Sequence, residues 1–206
     1  MSPAEIRPYR PQDLDALYDI CLRTGASGGD ARHLYADPMI IGDIYAAPYA
    51  VLAPELALVA EDDQGVAGYM VGTLDTAAFD ARLEAEWWPR LRDLHPDARA
   101  VPFAERNADQ QRAARIHRPI LTPRPLTEAY PAHLHINLLP RLQGQGMGEA
   151  LVTTWLGLVK VQGATGVHLG CNSGNTRALR FYDLYGFRRF EVEPAWPGTV
   201  WMVLDL

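Results

Sequence analysis

"INLLPRLQGQGMGEALV" (Ile136–Val152) decides how the chain folds. An apolar, strand-like run ends at Pro140, and a helix-forming run resumes after Gly148. Between them Gly144, Gly146 and Gly148 alternate with larger residues. Glycine inside a helix costs about 0.5–1 kcal/mol against alanine, so glycines at a helix start need a reason. The first amides of a helix have no internal acceptor and carry partial positive charge. Glycines let an anion approach those amides, and the default ligand is a phosphate or pyrophosphate. The bland alternative is close packing of small residues at the helix start. Spacing narrows the choice of phosphate motif. A dinucleotide fingerprint counted from Gly144 and Gly146 needs a small residue where Glu149 stands, which makes that match weak. A P-loop needs lysine beside glycine, and the single lysine, Lys160, lies inside the following helix.

Outward from this stretch, "HLHINLL" (His133–Leu139) alternates as a strand does. Leu134, Ile136 and Leu138 point one way, His133, His135 and Asn137 the other. Downstream, "EALVTTWLGLVKVQG" reads as a helix ending at Gly163 with Leu151, Trp155 and Leu158 on one side. "GVHLGCN" (Gly166–Asn172) reads as a strand. "NTRALRFYDLYGF" reads as a helix with Ala178, Phe181, Tyr182 and Tyr185 in one stripe, Gly186 as its C-terminal cap and Phe187 as the apolar partner. "FRRFEVE" and "TVWMVLDL" close the chain as strands.

Upstream, "EIRPYRP" (Glu5–Pro11) is a short first strand. "DLDALYDICL" is a helix with Leu14, Leu17 and Cys21 on one face and aspartates suited to its positive end. Leu56–Glu61, a turn at "DDQG" and Val66–Leu74 form a hairpin. Residues 76–131 interrupt the strands. Within them "AAFDARLEAEWWPRLRDL" is helical at least to Pro89, "NADQQRAARIH" is a second helix, and "RPILTPRPLTEAYP" is a proline-rich covering loop. This segment is either a surface insertion or a cap on the substrate side, and long ordered loops favour the cap. The pieces together imply a single domain over 1–206 built on a mixed α/β sheet.

Composition excludes several classes. A net charge of -6 without a basic stripe argues against nucleic acid as a partner. No apolar run approaches the roughly 18 residues of a membrane span, and the N-terminus lacks the order of a signal peptide. Cys21 and Cys171 read as reduced, buried thiols of a cytoplasmic protein. His133 and His135 share a face that suits a metal, but no third ligand is evident in the sequence.

The pattern Q-x-x-G-x-G at Gln143, Gly146 and Gly148 resembles the acyl-CoA pyrophosphate loop of the GNAT N-acetyltransferase superfamily. A second signature of that family, N-x-x-A-x-x-F-Y-x-x-x-G-F, is matched at Asn175, Ala178, Phe181, Tyr182, Gly186 and Phe187. "VAGYMVG" and "IRPYRPQDLDAL" resemble the family's opening. "EDDQGVAGYMVGTLDTAAF" and "EWWPRL" are also similar to the acetyltransferase-like domain at the C-terminal end of O-GlcNAcases, a domain without a convincing Q-x-x-G-x-G loop.

The resemblance implies a GNAT fold: a mixed, mostly antiparallel sheet of six or seven strands with flanking helices and a helical insertion before the central strand. The strands from His133 and Gly166 are then parallel neighbours, splayed at their C-terminal ends. It implies acetyl-CoA as acyl donor and an amine, in a small molecule or a peptide, as acceptor. Backbone around Gln143, Gly144, Gln145, Gly146, Met147, Gly148 and Glu149 would hold the pyrophosphate. The backbone of Leu138 and Leu139, with Asn175, would hold the pantetheine arm. Tyr182 is the implied acid for the departing thiolate, and its competing role is core aromatic. His135 is the first candidate base, followed by His133 or water, on the expectation of a near-neutral imidazole. Asp75 falls too far along the neighbouring strand for direct proton transfer. A non-catalytic acyl-CoA-binding module is the alternative, and an unrelated nucleotide enzyme a third. A negative protein weakly suits a cationic amine. "EWWP" and "YPAHLH" either line the acceptor pocket or, with Trp87 and Trp88, belong to the core.

Overall fold

A computed structural model describes residues 4–193 and 195–206. The strands are β1 (Glu5–Pro8), β2 (Leu58–Asp62), β3 (Gly65–Thr73), β4 (Ala132–Leu138), β5 (Gly166–Asn172), β6 (Arg188–Arg189) and β7 (Thr199–Asp205). The helices are α1 (Leu14–Thr24), α2 (Gly42–Tyr45), α3 (Ala47–Leu52), α4 (Thr76–Arg82), α5 (Trp88–Leu94), α6 (Ala108–His117), α7 (Arg124–Ala129), α8 (Met147–Val161) and α9 (Thr176–Tyr185). The strands form a seven-stranded sheet in the order β1-β2-β3-β4-β5-β7-β6. Every pairing is antiparallel except β4 with β5. A parallel pair needs a crossover, and α8 supplies it.

Two apolar stripes clamp the sheet. On one face α8 lies across β2, β3 and β4 and buries Leu151, Val152, Trp155, Leu156 and Val159. Leu158, expected on this stripe, is only half-buried, since the helix meets the sheet one position further round. Trp155 is fully buried, and its indole N–H reaches the Leu56 carbonyl at 2.9 Å. The indole fits because Gly72 lies beneath it: a Cβ there would stand 2.2 Å from the His133 carbonyl and 2.4 Å from the indole. On the other face α1 packs on β3 and β4 through Leu17, Ile20 and Cys21, with Leu14 only half-buried. Asp13 does more than favour the helix start. It takes both guanidinium ends of Arg7, at 2.7 and 2.9 Å, and caps the Arg10 amide, tying β1 to α1.

The sheet is regular where β3 meets β4, from Gly68 against Leu138 to Thr73 against His133. It fails where β4 meets β5. Those strands pair only at Ala132 with Val167 and His133 with His168, and then diverge. The expected splay is therefore present, and it opens toward Leu138.

Several boundaries differ from expectation. The first strand stops at Pro8, because Pro11 begins a tight turn. The helix after Thr76 continues past Pro89, as the sequence allowed. It passes through a π-helical stretch, Leu83–Trp87, and Pro89 sits in the first turn of α5, where its missing N–H costs nothing. The proline-rich loop contains α7, whose start is likewise built on a proline. "FRRFEVE" pairs only over Arg188–Arg189. The helices α2 and α3, on a stretch with no clear periodicity, have no counterpart in the sequence reading.

Candidate active site

The glycine loop has a definite geometry. Pro140–Leu142 forms one tight turn, and Gly144 and Gly146 take φ of +72° and +78°, the left-handed region that side chains avoid. A Cβ at either glycine would meet nothing within 4 Å, so the space over them is open to a ligand. Gly148 differs: its φ is ordinary, and a Cβ would touch Leu138 and Phe181 at 3.5–3.6 Å. It is the packing glycine, and the other two shape the turn. No amide from Gly144 to Glu149 is paired among the described residues; the first helical bond here is Ala150 to the Gly146 carbonyl. Side chains brace the loop from outside. Gln143 donates to the Leu138 carbonyl at 2.6 Å and accepts from Arg177, Gln145 donates to the Arg141 carbonyl at 2.8 Å, and Arg141 is held by Asp62 at 2.8 Å. Met147 and Glu149 lie in the first turn of α8.

Leu138 and Leu139 part company. The Leu139 amide donates to the Ala67 carbonyl on the β3 side at 2.8 Å. Main-chain groups alternate along a strand, so those of Leu138 and Ile136 face the splay. That wedge measures about 150 Å³ and is lined by Ile136, Cys171, Asn172, Asn175 and Tyr182, among others. Asn175 caps α9, its Oδ1 accepting the Ala178 amide at 3.2 Å, and only its amide NH2 is left for a ligand. Tyr182 is 7% exposed, with its ring against Phe181 and Phe187. It is core aromatic and wedge wall together. Its hydroxyl makes no hydrogen bond among the described residues, and burial, followed by the neighbouring Cys171, pushes its pKa upward.

The wedge opens into a cleft of about 1350 Å³ between the α1 face of the sheet and the helices following β3. Both His133 and His135 face it, and their bonds fix each other's tautomer. Thr76 donates its single hydroxyl proton to the Pro131 carbonyl at 2.7 Å, so it must accept from Nδ1–H of His133, also at 2.7 Å. Neutral His133 then accepts at Nε2 from the Tyr49 hydroxyl at 2.8 Å. The Tyr49 oxygen accepts in turn from Nε2–H of His135 at 3.1 Å. His133 has no free lone pair. His135 keeps one, on Nδ1, with no partner among the described residues.

The expectation of a near-neutral imidazole is not met. Burial, with His168 nearby, pulls His135 down to about 4. His133 lies well below its ordinary value, by burial and then by its two histidine neighbours. Burial lowers His168 to about 4, and its Nδ1–H donates to the Tyr130 carbonyl at 2.6 Å. Asp80 on α4 lines the cleft, and burial raises it to about 6. Asp75 caps α4 through the Ala78 amide and takes no part in the cleft. Trp87 is core, its indole on the Asp43 carbonyl at 2.8 Å, whereas Trp88 reaches the cleft wall. Tyr35, Tyr45, Tyr49, Thr76, Asp80, Arg112 and His168 were not singled out by sequence. The three tyrosines come from segments without periodicity, where the one available sign was the tyrosine density of "DIYAAPYA", while Asp80, Arg112 and His168 lie on elements the sequence did mark but whose spacing did not point to them.

Residues 30–187 match the acetyltransferase (GNAT) family model. Rat protein O-GlcNAcase is 23% identical over 184 residues, 88% of this chain and 20% of that protein. The chain thus spans about a fifth of the length of the curated relatives it matches. The crystal structure of SsHAT superposes with a TM-score of 0.89 at 40% identity, covering 99% of this chain and 98% of that one. The structure of yncA from Salmonella typhimurium, described with its cofactor acetyl-CoA, shares the fold at a TM-score of 0.55 and 16% identity, over 98% of this chain and 93% of that one.

Proposed function

Because the chain belongs to the acetyltransferase (GNAT) family, we propose that it is an acetyl-CoA-dependent N-acetyltransferase whose reaction takes place where the wedge meets the cleft. One observation carries this reading: the β4–β5 splay runs beside a row of unpaired amides at a helix start. A pyrophosphate fits that row, because the amides are unpaired, the helix end is positive and the space over Gly144 and Gly146 is open. The main chain of Ile136 and the Leu138 amide offer an extended chain a strand edge, the Leu138 carbonyl being taken by Gln143, and the Asn175 amide NH2 adds a donor. Bound there, acetyl-CoA supplies an acetyl thioester. In the balance of the reaction, the amine nitrogen gains the acetyl carbon and loses a proton, while the sulfur keeps the bonding electron pair and takes a proton up.

Tyr182 serves the second need. Burial keeps its phenol protonated, and the residue lines the wedge that the thioester end of the cofactor would enter. His135 serves the first through the bare lone pair on Nδ1, which Tyr49 secures by occupying Nε2. Its low basicity makes it a base for an amine already acidified by bond formation, not for an ammonium. Residues 76–131 cover the cleft as part of the same domain and define the acceptor space. No helix among the described residues is long and apolar enough to cross a membrane. Cys21 and Cys171 are buried free thiols, in keeping with the cytoplasm.

Calorimetry with acetyl-CoA tests the proposal. Wild-type protein is expected to bind in the micromolar range, and a folded Gly146→Asp variant to lose that binding, since its carboxylate would face the pyrophosphate. Equal affinity in the two proteins rules out the loop as the cofactor site.

A further inference from the structure

The cleft holds hydrogen-bond donors that lack an acceptor. Arg112 and Arg115 stand on one side of α6, whose N-terminus is capped by Asn107 and Gln110. Arg112 reaches the Tyr35 hydroxyl through Nε at 3.1 Å and the Tyr45 hydroxyl through Nη1 at 3.4 Å. Arg115 donates to the same Tyr45 hydroxyl at 2.8 Å. Two N–H groups fill the lone pairs of the Tyr45 oxygen, so its own proton has to find an acceptor elsewhere. Neither guanidinium has a carboxylate partner among the described residues, whereas Arg7, Arg82, Arg92 and Arg141 each have one. Arg112 is half-buried, and the rings of Tyr35 and Tyr45, 5.9 and 5.7 Å from its guanidinium carbon, hold it in place. A desolvated cation without a counter-charge is costly, and a fork of N–H donors suits a planar oxyanion.

The donors lie beside the candidate reaction centre. Tyr45, whose hydroxyl both arginines share, meets His135 edge-on with ring centroids 6.1 Å apart. Asp80, with no hydrogen-bond partner among the described residues, lines the same cleft and adds a negative group to it. A ligand complementary to both carries an anion and an amine.

We propose that the acetyl acceptor is an amine that also bears a carboxylate, held by Arg112, Arg115 and the Tyr45 hydroxyl while its amine lies at His135. This names the acceptor class for the transferase reading above and rests on it. Peptide amines without a nearby carboxylate, and simple polyamines, leave the guanidinium groups unpaired and are disfavoured.

The test pairs α- and ω-amino carboxylates with the same molecules as primary amides. Each is measured for turnover, as thiol release, and for binding to the CoA-loaded protein by saturation-transfer NMR. Wild type, Arg112→Gln and Arg115→Gln are compared, and calorimetry follows acetyl-CoA in all three. Arg115 is exposed, so its variant folds even where Arg112→Gln does not. Wild type is expected to prefer carboxylates over their amides by about tenfold to a hundredfold, the range for hydrogen bonds to a charged group. Either variant should erase most of that preference and leave acetyl-CoA affinity alone. Equal handling of amides and carboxylates, a preference that survives both substitutions, or a panel that neither binds nor reacts overturns the inference. So does a loss of acetyl-CoA affinity in the variants, which would give the arginines to the cofactor. Wild-type protein that fails to bind acetyl-CoA overturns the transferase reading itself, and this inference with it.

Discussion

Tyr182 is held by rings and by nothing polar, which makes Tyr182→Phe a clean substitution. Packing should survive, acetyl-CoA affinity should stay within a few-fold, and single-turnover transfer should slow by roughly ten to ten-thousandfold, as on losing a positioned acid. Normal transfer with a true acceptor would remove Tyr182 from the chemistry. Tyr49→Phe should behave otherwise. It strips His133 of its donor inside the core, costing about 1–3 kcal/mol in chemical denaturation, and frees His135 to change tautomer. Turnover should fall with it while cofactor binding holds. The pH profile follows from the same groups. His135 is uncharged above about 4, and the Tyr182 phenol stays protonated into the alkaline range, so neither titrates near neutrality. The kcat/KM should rise with pH along the ionisation of the acceptor amine, and two acceptors of different basicity should give two midpoints. A shared midpoint near the 6.5 of free histidine that persists in Asp80→Asn would return His135 to ordinary behaviour, since Asp80 in the same cleft is raised to about 6. Sequence could place Tyr182, because a helix motif carries it. It could not place Tyr49, whose partners lie 84 and 86 residues later and meet it only through tertiary packing.

The order strand, glycine turn, helix was legible because each part has its own backbone chemistry, whereas the β4–β5 splay was implied only by the family resemblance. Two glycines from this region separate function from folding. Gly146→Ala meets open space and only the strain of its positive φ, so stability should drop by about 1 kcal/mol while acetyl-CoA affinity falls sharply. Gly72→Ala drives a methyl into the His133 carbonyl and the Trp155 indole, and melting should show a loss of several kcal/mol or no folded protein. The reverse pattern would show that the loop holds the fold together rather than the cofactor. The elements that escaped the sequence, α2, α3 and α7, are four to six residues long and built around prolines and tyrosines. Helices so short have no periodicity to read, and their stability comes from packing alone.

At the scale of the whole molecule, the α1 face of the sheet is stabilised by histidines kept neutral. His135 and His168 sit near 4 when folded, against 6.5 for the free side chain. As pH falls below 6.5 the unfolded chain takes up protons that the native protein refuses, so stability is full above 6.5 and is lost down to about 4. Each contributes on the order of 3 kcal/mol across that window. The melting temperature should therefore fall steeply between pH 6.5 and 4. His168→Asn, which keeps a donor for the Tyr130 carbonyl, should flatten that slope. An unchanged slope would place the acid sensitivity elsewhere. The succession of strands and helices implied the α/β sheet that the fold shows, but it says nothing of which charges stay unpaired. Arg112 and Arg7 look alike in sequence, and only the folded chain gives a carboxylate to one and not to the other.

The bonds from His135 through Tyr49, His133 and Thr76 finish on the Pro131 carbonyl. An amide oxygen is too weak a base to keep a proton, so the line is a cul-de-sac. On the proposed role of His135, the proton it picks up cannot drain inward and must leave by the mouth through which the substrate entered. With His135 at about 4, that proton passes to water as soon as the mouth is open, so its release and the departure of product share one route. An enzyme wired this way resets only as fast as it lets go.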